Sequence, residues 1–199
     1  DPNTVIGIQM ELEDIAPTGE VGAVLVEPPE TESYSLARWM KTEPVEFSLG
    51  PQEEKFVKFT ISIPENAEPG GHYGTILAGI KSAAGPEMTG AAIAQRIGSL
   101  VLLTVPGAMK EELVVKDFSA PRYSEYGPIT FAIRFENKGT VHVRPRGFVT
   151  IADWRGKKVA DIDFPEKNVL PDSIRKIETS WNRKWLFGGK YIATLSGAY

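Results

Sequence analysis

The side chains that most often perform catalysis or bind metals are scarce in this sequence. It contains two histidines, His72 and His142, and no cysteine. Neither histidine has another histidine or a carboxylate at the spacing of a metal site, so we predict no metal site and no acid–base pair. An internal repeat, described below, has Lys190 where His72 stands, which predicts a solvated position for His72. His142 is predicted on the polar side of a short strand.

Carboxylates are the remaining candidates for chemistry. Glu11 with Glu13, and Asp161 with Asp163, are spaced to share one face of a strand. A glycosidase would need two such groups facing each other across a cleft, whereas a solvated strand face is the ordinary interpretation. The sequence also lacks nucleophile-elbow, phosphate-loop and dinucleotide-binding motifs. We therefore predict a chain that is not an enzyme, has no catalytic residues and binds no cofactor, with a carbohydrate-active enzyme as the less favoured alternative.

One segment combines aromatic and basic residues in a way that suits sugar stacking or protein binding. It is the run 181–187, WNRKWLF, in which Arg183, Lys184 and Trp185 are the candidate partner-binding residues. The alternative is that Trp181 and Phe187 belong to the core and that the two cations are merely solvated. A second candidate for binding is the arm 82–94, which is rich in small residues and suits a hairpin tip.

The elements that must position these residues are short strands. Apolar residues alternate with polar ones along 8–13, 57–63 and 129–137, a pattern typical of half-buried antiparallel strands. Turns rich in glycine and proline separate the runs, and the 19 Gly and 15 Pro leave little room for helices. One short helix is predicted over 35–40. Many short strands at this spacing indicate an all-β sandwich or barrel.

An internal repeat divides the chain. The segment 70–79, GGHYGTILAG, resembles 188–197, GGKYIATLSG, at half of its positions. Two glycines followed by a tyrosine suit a sharp corner between sheets and the tyrosine corner of immunoglobulin-like sandwiches, rather than a catalytic tyrosine. The predicted structural corners are Gly70, Gly71 and Tyr73, and Gly188, Gly189 and Tyr191.

The repeat predicts two tandem immunoglobulin-like antiparallel β-sandwich domains, residues 1–107 and 108–199. When the two are compared, the first domain lacks its first strands and the second lacks its last strand. Two interpretations follow. The chain is a fragment, or it is a subunit whose open sheet edges are filled by strands from neighbouring copies.

Several segments of the first domain resemble the N-terminal domain of WxL-interacting proteins and similar bacterial surface proteins. They are 35–39 (SLARW), 63–73 (IPENAEPGGHY) and 96–101 (RIGSLV). In the second domain, 134–145 and 168–175 resemble the immunoglobulin-like domain that commonly follows. The resemblance implies an exported protein, located at the cell surface, whose signal peptide and anchor lie outside these residues. It also implies an N-terminal domain associated with peptidoglycan binding.

The charge composition of the chain argues against two classes of binding partner. With a net charge of −4 and a pI near 5.4, the chain lacks the basic footprint that nucleic acid or an anionic lipid surface would need. We therefore predict a non-catalytic extracellular module that binds cell-wall polysaccharide or peptidoglycan, or another surface protein, or acts as a spacer. The alternative is a structural subunit of an extracellular fibre assembled by strand exchange.

Overall fold

A computed structural model describes residues 5–27, 34–81, 95–184 and 189–199. Strands dominate the described residues, and the prediction of an all-β fold made of antiparallel sandwiches is confirmed. The chain divides into two compact units. The first comprises Asp1–Ala16 and Leu25–Gly107, and the second comprises Pro17–Val24 and Ala108–Tyr199. The predicted arm 82–94 lies outside the described residues.

The strands of the first unit are β1 Ile6–Thr18, β2 Ala23–Glu27, β3 Met40–Glu43, β4 Glu46–Leu49, β5 Lys58–Ile61, β6 Gly70–Lys81 and β7 Arg96–Val105. The main sheet has five antiparallel strands in the order β2-β1-β6-β7, with β4 paired to the start of β1. A separate pair, β3 and β5, forms a second, small sheet.

A single helical turn, α1 (Leu36–Trp39), packs on one face of the large sheet. Ser35 caps it, because its hydroxyl accepts a hydrogen bond from the amide of Arg38. Leu36, Trp39 and Met40 are buried against aliphatic residues of β1, β6 and β7. The predicted short helix is therefore present, one residue shorter at each end.

The strands of the second unit are β8 Leu113–Ser119, β9 Ile129–Asn137, β10 Arg146–Ala152, β11 Lys158–Asp163, β12 Ser173–Trp181 and β13 Ile192–Ala198. They form a sandwich of two three-stranded antiparallel sheets, β12-β9-β8 and β11-β10-β13. The first, second and fifth of these strands form one sheet and the third, fourth and sixth the other, which is the division found in immunoglobulin-like folds.

The core of the second unit lies between these sheets. Alternate residues of the central strands point inward, so Ile133 on β9 and Val149 on β10 have no exposed surface. Asn137, at the end of β9, is also fully buried. Its side-chain amide donates to the carbonyls of Val141 and Val169 and accepts from the amide of Gly139. These bonds satisfy a polar group that would otherwise be costly to bury.

The tip of the β1–β2 hairpin, Pro17–Val24, groups with the second unit. The Glu20 carboxylate accepts hydrogen bonds from the Arg134 guanidinium, and the Glu20 carbonyl accepts one of 2.7 Å from the amide of Lys176. Gly22 has φ of +82°, and the Arg175 guanidinium occupies the space that a side chain there would need. Sequence patterning placed this segment in the first domain, because hydrogen bonds between residues so far apart in the chain leave no periodic signal.

The first testable prediction concerns Gly71, which stands two residues before Tyr73. A Cβ at Gly71 would lie 1.9 Å from the Tyr73 hydroxyl oxygen, because the ring folds back over Gly71. We expect Gly71→Ala to lower the free energy of unfolding by about 1–3 kcal/mol, the usual cost of overpacking, as measured by urea denaturation.

Gly79→Ala is the matched control, since Gly79 lies in the same strand and its Cβ would meet nothing closer than 3.7 Å. Combining Gly71→Ala with Tyr73→Ala removes the clash and should add less destabilisation than the two single changes together. Equal losses in Gly71→Ala and Gly79→Ala would contradict this account of the corner.

Candidate functional site

Three loops converge at one end of the second unit: 120–128, 153–157 and the described parts of 182–190. We call this region the loop end. The strand register brings them together, because Trp181 pairs with Ile129 in one sheet and Ala152 pairs with Ile192 in the other. The first and third loops also touch directly, since a Cβ at Gly127 would lie 1.9 Å from the Arg183 carbonyl oxygen.

The predicted partner-binding residues belong to the third loop. Trp181 is 9% exposed and packs edge-on against Tyr191, with ring centroids 5.3 Å apart. This buried position agrees with the alternative given in the sequence analysis, in which Trp181 belongs to the core. The Arg183 guanidinium lies 5.5 Å from the centroid of Trp181 and 5.9 Å from that of Tyr191, so two rings hold it in place. Lys184 is exposed, and Trp185 lies outside the described residues.

A cavity of about 500 Å³ opens at the loop end. Its floor is apolar and includes Phe131, Ile151 and Trp181, and its rim includes Arg122, Tyr123 and Lys190. The volume is within the range of small-molecule and side-chain binding sites. The loop end therefore combines an apolar recess with a cationic rim.

Positive charge is concentrated around this recess. Six exposed cations stand in the three loops, and within the described part of the chain none of them forms an ion pair: Arg122, Arg155, Lys157, Arg183, Lys184 and Lys190. The loops contain two carboxylates, and both have local partners. Asp153 accepts from the amides of Arg155 and Lys157, and Glu125 accepts from the Tyr123 hydroxyl.

Three large aromatic side chains are exposed among these cations. Tyr123 is 79% exposed, Tyr126 56% and Trp154 63%. The Arg155 guanidinium lies 4.5 Å from the Trp154 ring centroid. Sequence reasoning did not single out Arg122–Tyr123 or Trp154–Arg155. The signal that would have found them is the one already used for 183–185, an aromatic residue beside a cation within a turn.

The two predicted corners differ in detail. Gly70 has φ of +137°, which favours glycine, and Tyr73 is buried. Strand alternation places Tyr73 on the face of β6 opposite His72 and α1. In the second unit Tyr191 packs against the sandwich core and Gly189 is exposed, whereas Gly188 lies outside the described residues. The structural role of the two corners stays a prediction.

The prediction of a solvated His72 is wrong. The side chain is 1% exposed and lies between the rings of Tyr34 and Trp39. Nδ1 is 2.7 Å from the Tyr34 carbonyl oxygen, and Nε2 is 2.7 Å from that of Glu68. The comparison with Lys190 misled because α1, which covers His72, has no counterpart among the described elements of the second unit.

One carboxylate of each predicted pair is engaged in a structural contact. Glu11 forms a salt bridge of 3.1 Å with Arg96. Asp161 accepts hydrogen bonds from Lys158 and Thr150, which lower the pKa of its carboxyl group. Among the described residues, no group of three His, Cys, Asp or Glu side chains could hold a metal ion. Within the same residues, no helix is long and apolar enough to cross a membrane.

Comparisons with known proteins leave the family open. No protein-family model matches the chain, and no curated protein matches it in sequence. Among solved structures, the chain is similar to a chain of a chaperone–tip adhesin complex of CFA/I fimbriae biogenesis. The identity is 13% and the TM-score 0.44, with 96% of this chain and 85% of that chain covered. A likeness at this level carries no inference about function, and the relationship to WxL-interacting proteins stays a prediction.

His142 gives a prediction about pH. Burial lowers the pKa of His142 below its ordinary value of 6.5, so the unfolded chain takes up a proton before the folded chain does. The contribution of neutral His142 to stability is therefore complete above about pH 6.5 and is lost as the pH falls towards the folded-state pKa. We expect the free energy of unfolding to decrease between about pH 7 and pH 5.

Urea denaturation of the natural chain and of His142→Gln at several pH values in this window tests the assignment. Glutamine is uncharged throughout, so the decrease should be smaller in the variant. Parallel decreases in the two proteins would show that His142 does not contribute.

Proposed function

We propose that this chain is a non-catalytic module of the bacterial cell surface that binds an anionic polymer of the cell wall through the loop end of its second unit. The observation that carries the proposal is a set of six exposed cations, none of which forms an ion pair within the described residues, together with the exposed aromatic rings that lie among them. The paired strand ends bring the described parts of the three loops to one end of the unit, so these groups stand close to one another.

The charge distribution supports an anionic partner. The described loops contain six cations and two carboxylates, a local excess of four positive charges in a chain whose net charge is −4. Such segregation creates a local attraction for anions that overall composition conceals. Because the cations are exposed, we expect the attraction to weaken as ionic strength rises.

The aromatic side chains support a polymer that contains sugar rings. Tyr123 and Trp154 are largely exposed, so the apolar face of a sugar ring can stack on them while neighbouring cations pair with phosphate or carboxylate groups. Arg183 is held over Trp181 and Tyr191, so less side-chain entropy is lost when it binds an anion.

The surface location follows from the resemblance to WxL-interacting proteins, and it is part of the proposal. A wall polymer would meet an exported module at that location. A glycosidase is the weaker alternative, because Glu11 and Asp161, one carboxylate of each predicted pair, are engaged in structural contacts. An acidic surface protein is the other partner that the same charges would suit.

Co-sedimentation with purified cell-wall sacculi tests the proposal. We expect saturable pelleting that weakens between low and high salt. The triple variant Lys157→Glu, Lys184→Glu, Lys190→Glu should bind at least about tenfold more weakly, because three surface ion contacts are lost. These lysines are exposed, and none of them stacks on a ring of the described residues, so the variant should fold.

The matched control reverses three exposed lysines of the first unit that form no salt bridge within the described residues: Lys41, Lys55 and Lys58. It carries the same net charge as the loop-end variant and should bind like the natural chain. Equal weakening in both variants would show attraction by overall charge, which contradicts a site at the loop end. No pelleting by the folded natural chain would overturn wall binding, and capture by an immobilised acidic protein would then support the other partner.

A further inference from the structure

Arg183 differs from the other cations of the loop end in how firmly its side chain is held. The guanidinium lies 5.5 Å from the ring centroid of Trp181 and 5.9 Å from that of Tyr191. Trp181 is 9% exposed, and Tyr191 packs against the core of the second unit. Because both rings are anchored in the sandwich, a cation that rests on them has little freedom to move.

Arg155 provides a comparison within the same surface. Its guanidinium lies 4.5 Å from the ring centroid of Trp154, but Trp154 is itself 63% exposed. An exposed side chain changes rotamer rapidly, so this ring does not fix the arginine that rests on it. The other four cations of the loop end stack on no ring of the described residues. In the described part of this surface, Arg183 is therefore the cation that the core holds in place.

The backbone of Arg183 is also held. Its amide donates a hydrogen bond of 3.0 Å to the Trp181 carbonyl. The first loop approaches closely at Gly127, where a Cβ would lie 1.9 Å from the Arg183 carbonyl oxygen and 2.9 Å from its carbonyl carbon. Both atoms belong to the backbone, so they cannot turn away as the end of a flexible side chain could. Position 127 must therefore be glycine for the first and third loops to meet in this way.

The shape of the guanidinium suits a particular class of chemical group. Arginine presents its N–H donors in a planar fork that matches two oxygens of one phosphate or carboxylate, whereas the lysine ammonium is a point charge. Within the described residues Arg183 forms no ion pair. A fork that is held in advance loses less side-chain entropy when it binds an oxyanion.

We propose that Arg183 selects the anionic group of the partner by pairing its fork with two oxygens of one phosphate or carboxylate, and that Gly127 is a positioning residue for Arg183. The other cations of the loop end contribute attraction that depends on charge more than on shape. The assignment rests on the proposed function, because it names the specific contact within the same surface. Binding then depends on which cation stands at position 183 and not only on its charge.

Substitutions that keep the charge test this assignment. In the sacculus assay we expect Arg183→Lys to bind about five- to tenfold more weakly, because lysine cannot donate to both oxygens in the fork geometry. Arg155→Lys should weaken binding about twofold or less, since Arg155 is not held in place. Arg38→Lys, at an exposed position of the first unit, is the matched control and should bind like the natural chain. Equal losses in Arg183→Lys and Arg155→Lys would overturn the proposal.

A double-mutant cycle measures the positioning role of Gly127. Gly127→Ala should weaken binding in the natural chain, and most of this loss should disappear when Arg183 is already replaced by lysine. The NMR signal of the Arg183 Nε–H group reports its position without any ligand, because the Trp181 and Tyr191 rings shift that signal. We expect Gly127→Ala to move it towards the value of an exposed arginine. Additive losses, or an unmoved signal, would contradict the positioning role.

Two further measurements identify the anion and separate this assignment from wall binding itself. Hydrofluoric acid removes phosphodiester polymers from sacculi and leaves their carboxylates, so loss of the binding that depends on Arg183 identifies phosphate and its persistence identifies carboxylate. Inorganic phosphate added to the 199-residue chain should shift the Nε–H signal of Arg183 more than those of Arg122 and Arg155. If this shift occurs but the chain does not bind sacculi, the oxyanion site stands and the wall polymer is wrong. Equal shifts at the three arginines would overturn the site.

Discussion

The packing of β9 against β10 across the interior of the second unit is the contact on which the loop end depends. Their inward residues, with Ile133 and Val149 fully buried, fix the separation of the two sheets. Strands of both sheets end at the loop end, where the cationic loops lie. Asn137 reinforces the opposite end by linking β9 to Val141 and Val169. The proposed binding surface therefore lies at the rim of this core.

The strands of this fold could be predicted from the sequence, because an antiparallel strand with one buried face leaves alternation with period two. β9 shows the strict pattern, and the sequence located it fully. Which faces of the strands are buried in the first unit was harder to predict from the sequence. His72 and Tyr73 are neighbours on opposite faces of β6, and both are buried, because α1 covers one of those faces. Alternation indicates a strand but does not say which elements cover each face.

The candidate site was partly predictable for a related reason. The run 181–187 was conspicuous because its aromatic and basic residues are adjacent in the chain. The remaining cations and rings of the loop end lie in turns that are separated by whole strands, and only the sandwich brings them together. Arg122 and Trp154 are about 30 positions apart in the sequence, and no local rule joins them. Knowledge of the strand order is needed before such a surface can be recognised.

The hairpin tip 17–24 has a consequence for how the second unit can be inherited or transplanted. The unit is assembled from two stretches of chain, and the shorter one supplies Glu20 to Arg134 and the backbone acceptor for Lys176. A gene segment that encodes only residues 108–199 would therefore carry an incomplete unit with an arginine deprived of its carboxylate. Recombination between residues 107 and 108 would separate Glu20 from Arg134, although both belong to the second unit. We therefore expect the two units to be exchanged between proteins together.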